Sequence, residues 1–112
     1  MKKVLFYGMN GEKMCFQHIL LNALDLHNGD GEVKIIFEGA SVKLVSLFER
    51  ENNPLYKKAK ELGLIAGVCF ACSKVMGVLE ENKKSGLTML EDMSGHAGMK
   101  DYIEDGYEVI SM

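Results

Sequence analysis

Cys69 and Cys72 stand at the exit of a strongly apolar run, Leu64-Ile65-Ala66-Gly67-Val68-Cys69-Phe70-Ala71-Cys72-Ser73. The residues before the cysteines read as a buried strand, and those after them, Lys74 to Asn82, as a helix. A strand-to-helix turn sets thiols against the positive end of the helix dipole, where the thiolate is favoured and the pKa falls. Cys-x-x-Cys in that setting points to redox, sulfur-transfer or metal-ligand chemistry. Cys72 is the better placed of the two, with Ser73 beside it at the helix start, nearest the free backbone N–H groups. Cys69 lies partly inside the sheet end. The competing explanation is packing, since free cysteine is a common small core residue.

His96 falls in Asp92-Met93-Ser94-Gly95-His96, read as the first turn of the last helix. The dipole there disfavours imidazolium, and a neutral imidazole near a thiol can take its proton. A solvated position at a loop edge is the plainer alternative. Cys15 and His18, three apart on the first helix, share a face. With Cys69 and Cys72 they would make four ligands of the types zinc prefers. A chain with this much core has little need of such a staple, so no metal and no cofactor is assigned. The Gly8-Met9-Asn10-Gly11 loop lacks both the dinucleotide and the P-loop pattern and reads as a tight turn.

Alternating strand-like and helix-like stretches must position these residues. Val4 to Tyr7 is the first strand, and Phe16, Leu20, Ala23 and Leu24 give a helix over Glu12 to His27, its stripe widened by Cys15, Ile19 and Leu26. Val33 to Phe37 is the second strand, followed by a helix over Val42 to Phe48. Asn53 suits an N-cap and Pro54 the first position of a helix to Leu62, closed by Gly63. Leu64 to Val68 is the third strand and leads into a helix that ends near Gly86. Leu87 to Leu90 is the fourth strand, a helix capped by Ser94 runs to Asp105, and Tyr107 to Ile110 is the fifth strand. The expected fold is a single α/β domain over residues 1–112: a three-layer, five-stranded, mostly parallel sheet in the flavodoxin-like order 2-1-3-4-5. That order brings the exits of the first and third strands together, with Asp92, Ser94 and His96 on the far side of the cysteines.

Composition narrows the function classes. At 112 residues, 47% hydrophobic and 26% charged, the chain is the size of one ordinary globular domain. A net charge of −3 with Arg50 as its lone arginine argues against a nucleic-acid partner. The opening apolar run stops at Gly8, too short for a membrane span or a signal-peptide core. Three cysteines make no disulfide framework. Together these features lead to an expected location in the reducing cytoplasm.

The opening Lys3-Val4-Leu5-Phe6-Tyr7, the Val33–Gly39 strand and turn, and the Ala71-Cys72 step after a Gly-Val strand exit resemble the DsrE/DsrF-like (YchN-like) family. The resemblance covers nearly the whole chain in length and element order, and its sharp motif is the cysteine segment. It implies a homo-oligomer, often a trimer or hexamer, and a cysteine that carries sulfur as a persulfide between donor and acceptor proteins. That role falls on Cys72 first and Cys69 second, with His96 and Ser73 as accessory residues. Two cysteines in place of one, and no arginines after them, depart from the better-known sulfur-relay subunits. The expected function is a persulfide carrier, at most sulfurtransferase-like as an enzyme. The alternatives are a dithiol redox protein or sensor using Cys69 and Cys72, and a non-catalytic oligomeric binding module whose cysteines are either structural or bind a metal such as zinc. Cys72 is expected to be the most reactive thiol, and Phe48, Leu55 and Tyr56 to be interface residues.

Overall fold

The computed structural model describes all 112 residues. Strand β1 (Lys3–Gly8) leads through helix α1 (Lys13–Asn28) to β2 (Glu32–Phe37). A 3-10 turn (Gly39–Lys43) and helices α2 (Leu44–Arg50) and α3 (Pro54–Glu61) connect β2 to β3 (Ile65–Cys69). Helices α4 (Phe70–Val75) and α5 (Leu79–Lys84) precede β4 (Met89–Leu90), and α6 (Lys100–Glu104) precedes β5 (Glu108–Ser111). All five strands are parallel, as expected for an α/β chain.

Their order is β4-β3-β2-β1-β5 rather than 2-1-3-4-5. The burial of β2 gives the physical reason. Val33, Ile35, Ile36 and Phe37 are all buried, so both faces of this strand need cover and both edges need a ladder. The order 2-1-3-4-5 would leave β2 at an edge; here it is central. The edges fall instead to β4, which is only two residues long, and to the largely exposed β5, as suits strands with little apolar surface to hide.

The steps from β1 to β4 all run in one direction across the sheet, so right-handed crossovers put α1 through α5 on one face. The step from β4 back to β5 reverses and puts α6 on the other. Strand β1 shows both faces. A side chain at Gly8 would run into the Phe16 ring of α1, whereas Lys3 reaches Asp105 and Tyr7 reaches Ala97, both on the return crossover. Beneath α1 the Phe37 ring stacks on Phe16 with centroids 4.2 Å apart, a contact of about 0.5–1.5 kcal/mol beyond its area.

Several boundaries move. Asn53 does cap α3, its Oδ1 accepting from the N–H groups of Leu55 and Tyr56. The helix expected from Lys74 onward starts earlier and is broken in two at Gly77, whose φ is +74°. Residues 94–99 form a loop rather than the start of a helix, with Ser94 in the left-handed region and Met93 bridged to His96. Phe48 and Tyr56 are core residues, buried against each other and Phe37, so they are not free to form an interface.

Candidate functional site

Parallel strands all end on the same edge of a sheet, and here three adjacent exits, those of β2, β3 and β4, gather the polar chemistry. β2 ends in Glu38, which is buried. β3 ends in Cys69, also buried, and α4 carries Cys72, which is half-buried. The loop after β4 carries His96, whose side chain is 43% exposed. The Nδ1 atom of His96 lies 3.3 Å from Cys69 Sγ, 3.4 Å from Cys72 Sγ and 3.4 Å from Glu38 Oε1. Cys72 Sγ donates to Glu38 Oε1 at 2.6 Å. One ligand-type atom from each residue lies within 4.8 Å of every other.

Local backbone fixes each part. Cys69 takes the N-cap position of α4, and its Sγ accepts from the Cys72 N–H at 3.3 Å. Glu38 takes the cap of the 3-10 turn, and its Oε1 accepts from the Gly39 N–H. Its other oxygen, Oε2, accepts from the Ala97 N–H at 3.0 Å and lies 3.2 Å from the Tyr7 hydroxyl. Tyr7 donates to the Ala97 carbonyl at 2.7 Å. Tyr7 and Glu38 therefore clamp the loop immediately after His96 and hold its imidazole over the thiols.

The electrostatics differ from the sequence expectation. Burial first, then the hydrogen bonds with Glu38 and Cys69, push the Cys72 thiol up to about 12. Burial likewise raises Cys69. The dipole of the six-residue α4 does not outweigh desolvation and a carboxylate at hydrogen-bond distance, so Cys72 is not a low-pKa thiol. Burial alone would raise Glu38, yet hydrogen bonds from Cys72, the Gly39 and Ala97 N–H groups and Cys69 hold its carboxyl below the ordinary value. Burial and the neighbouring Glu38 push the Tyr7 phenol up.

The structure thus brings together Cys69, Cys72 and His96. Ser73 is buried away from the cluster, donating to the Cys69 carbonyl and accepting from Asn82, so it braces the turn and does not face the thiols. Cys15 and His18 are exposed on α1 and take no part; the helix turns Phe16 and Ile19 inward instead. Asp92 accepts from the Gly98 N–H and shapes the loop. The Gly8 carbonyl accepts from the Ser41 hydroxyl and the Glu38 N–H, tying the β1 exit to the site. Glu38 and Tyr7 are the residues sequence reasoning missed. The signal for Glu38 was a carboxylate set directly after the apolar run Ile35-Ile36-Phe37.

No protein-family model and no solved structure matches the chain. It is 36% identical over 95 residues to uncharacterized protein MJ0733 of Methanocaldococcus jannaschii, covering 85% of this chain and 78% of that one. An uncharacterized protein of Archaeoglobus fulgidus is 46% identical over 35 residues, which is 31% of this chain and 95% of that protein. With that identity sustained over most of both chains, this protein belongs to the same family as the Methanocaldococcus jannaschii protein.

Proposed function

We propose that the protein is a small thiol-based sulfur carrier of the DsrE-like kind, with Cys72 as the atom that accepts and holds sulfur. The observation that carries this reading is the meeting of two thiols and one imidazole at a single sheet edge, with Cys72 and His96 reaching the surface while Cys69 does not. Cys72 can be approached by a partner protein, and Cys69 only by Cys72.

Sulfur transfer from a donor persulfide is balanced without an external oxidant. The Cys72 sulfur attacks the outer sulfur of the donor persulfide. The donor's S–S bond breaks, a new Cys72 S–S bond forms, and the donor leaves as a thiol. Because the Cys72 thiol holds its proton near neutral pH, the proton has to leave as attack proceeds. Glu38 Oε1, which accepts the Cys72 S–H at 2.6 Å, and His96 Nδ1 at 3.4 Å are the two bases within reach, and either can return the proton to the departing thiol. Cys69 then has a defined role. Attack on the Cys72 persulfide yields a Cys69–Cys72 disulfide and releases hydrogen sulfide.

A second reading, a dithiol redox protein, is favoured by the two sulfurs lying within 4.8 Å of each other. It differs in needing a disulfide oxidant and no persulfide. The oligomer belongs to the proposal too. Met14, Leu21, Val75, Met76 and Ile103 are among the exposed apolar side chains available to a trimer or hexamer, which light scattering checks. No helix is long and apolar enough to cross a membrane.

Reduced protein incubated with a low-molecular-weight persulfide should gain the mass of one sulfur atom, removable by reductant. Cys72→Ser should abolish the gain, Cys69→Ser should permit loading but not release, and His96→Ala should slow loading. Loading that survives Cys72→Ser, or that maps to Cys15, overturns the proposal. A loss of two hydrogens with no sulfur gained selects the redox reading.

A further inference from the structure

We infer that Glu38, Cys69, Cys72 and His96 form a binding site for one thiophilic divalent cation of the zinc class. Three of the four donors, the two sulfurs and the Glu38 carboxylate oxygen, face the same imidazole nitrogen, at 3.3, 3.4 and 3.4 Å. A single Nδ1 has one proton or one lone pair and satisfies one partner at a time. A catalytic relay would divide base and carboxylate between the two ring nitrogens, with the thiol on one and the acid on the other. Convergence on one nitrogen leaves the centre of the group as the place where all four donors meet.

The spacing agrees with that centre. Zinc–ligand lengths of about 2.3 Å for sulfur and about 2.0–2.1 Å for nitrogen and oxygen put tetrahedral edges at about 3.5 Å for S···N and about 3.3 Å for N···O. The three edges that meet at His96 are within a few tenths of an ångström of these values. The Cys72–Glu38 edge is shorter, 2.6 Å, because a thiol proton now bridges the two atoms. Metal entry removes that proton and opens the edge by about 1 Å. Loading is written as one divalent cation plus two thiols giving a bis-thiolate complex and two protons released to water, with no change of oxidation state.

Support from the surroundings is built in. Glu38 offers Oε1 to the cluster while Oε2 is held by the Ala97 N–H and Tyr7. Cys69 Sγ is fixed by the Cys72 N–H. Glu38 and Cys69 sit at caps that follow strand exits, where the backbone leaves little freedom. Four protein ligands close the coordination sphere, so the bound cation acts as a plug. Metal binding and sulfur transfer call on the same Cys72 sulfur and exclude one another. The metal-loaded protein is the form in which Cys72 is masked.

The test is a titration of reduced, chelator-treated protein with Co²⁺, followed by displacement with Zn²⁺. One equivalent per chain should bring thiolate-to-cobalt charge-transfer absorption in the near ultraviolet and visible bands of tetrahedral cobalt, both lost on adding zinc. One equivalent of zinc should also protect Cys72 from iodoacetamide. Cys72→Ser should remove most of the charge-transfer absorption, and His96→Gln, at a half-exposed position that folding tolerates, should weaken cobalt binding at least about tenfold. Cys15→Ser should leave the titration unchanged. Absence of the charge-transfer band, its loss in Cys15→Ser, or undiminished affinity in both Cys72→Ser and His96→Gln overturns the inference. Persulfide loading is assayed on metal-free protein, so a failed cobalt titration leaves the carrier reading standing, and a failed loading assay leaves the metal site standing.

Discussion

Replacing Tyr7 by phenylalanine removes one oxygen and nothing else, at a buried position where that oxygen serves two acceptors. The Tyr7 hydroxyl donates to the Ala97 carbonyl at 2.7 Å and lies 3.2 Å from Glu38 Oε2. Phenylalanine fills the same space, so no cavity forms, and the loss is that of a buried donor. Two buried acceptors then share one donor fewer. An acceptor left without its partner costs about 1–3 kcal/mol. Taking about 1.5 kcal/mol, and a urea m-value of about 1.5 kcal/mol/M for a chain of this size, the unfolding midpoint falls by about 1 M with m unchanged. Because Ala97 follows His96, the same variant should loosen the imidazole and weaken cobalt binding about tenfold, as removing an outer-shell partner does at other metal sites. Equilibrium urea unfolding followed by circular dichroism, beside the cobalt titration, reads both effects. A midpoint within about 0.2 M of the parent would refute the reasoning, since the loop and Glu38 would then have no need of the hydroxyl.

Gly67→Ala should destabilise by about 1–3 kcal/mol or more, because the new Cβ would stand 2.4 Å from the Thr88 carbonyl oxygen and 2.7 Å from Leu90. Thermal unfolding checks the loss, and His96 reactivity should change with it as β4 is pried from β3. At Glu49 burial alone would raise the carboxyl, yet hydrogen bonds from Lys60 and Tyr56 hold it below its ordinary value of 4.5. A depressed carboxyl contributes stability above that value and loses it as pH falls through the folded pKa, so Glu49→Gln should flatten the fall in melting temperature below about pH 4.5. In metal-free, sulfur-free protein near neutral pH, exposed Cys15 should react with iodoacetamide before half-buried Cys72, whose thiol is pushed up to about 12. Peptide mapping after short exposure tests this, and first labelling at Cys72 would contradict the electrostatics described above.

Much of this arrangement could be read from the chain. The apolar run to Val68 gave the strand, and the cysteines after it lie at its exit because a parallel strand has to end where its connection begins. His96 was close enough in the element order to be a candidate, though not as a helix residue; Gly95 and Ser94, both with positive φ, keep the backbone in a turn there. Glu38 escaped notice because its partners are distant. Its role depends on β2 lying beside both β1 and β3, and strand order is not written in periodicity. The apolar character of Val33, Ile35, Ile36 and Phe37 already argued against an edge position, which would have placed Glu38 next to the cysteines. The lowered cysteine pKa failed for a related reason: a dipole can be inferred from a helix start, but a neighbouring carboxylate cannot.

Glu38 and His96 are 58 residues apart and meet only through the ordered sheet. A chain leaving the ribosome exposes its two sheet-end cysteines well before it can offer the imidazole that faces them. Until then they are thiols on an incomplete sheet, with no imidazole and no fourth donor. The last donor in chain order is His96, and its loop is held by Tyr7 from the first strand. The segment through Ala97 must therefore be made and docked against Tyr7 and Glu38 before the cluster exists. Whatever the cluster binds, it binds to the assembled sheet and stabilises that state over every less folded one by mass action. A sheet without β1, or without the loop after β4, has no such site.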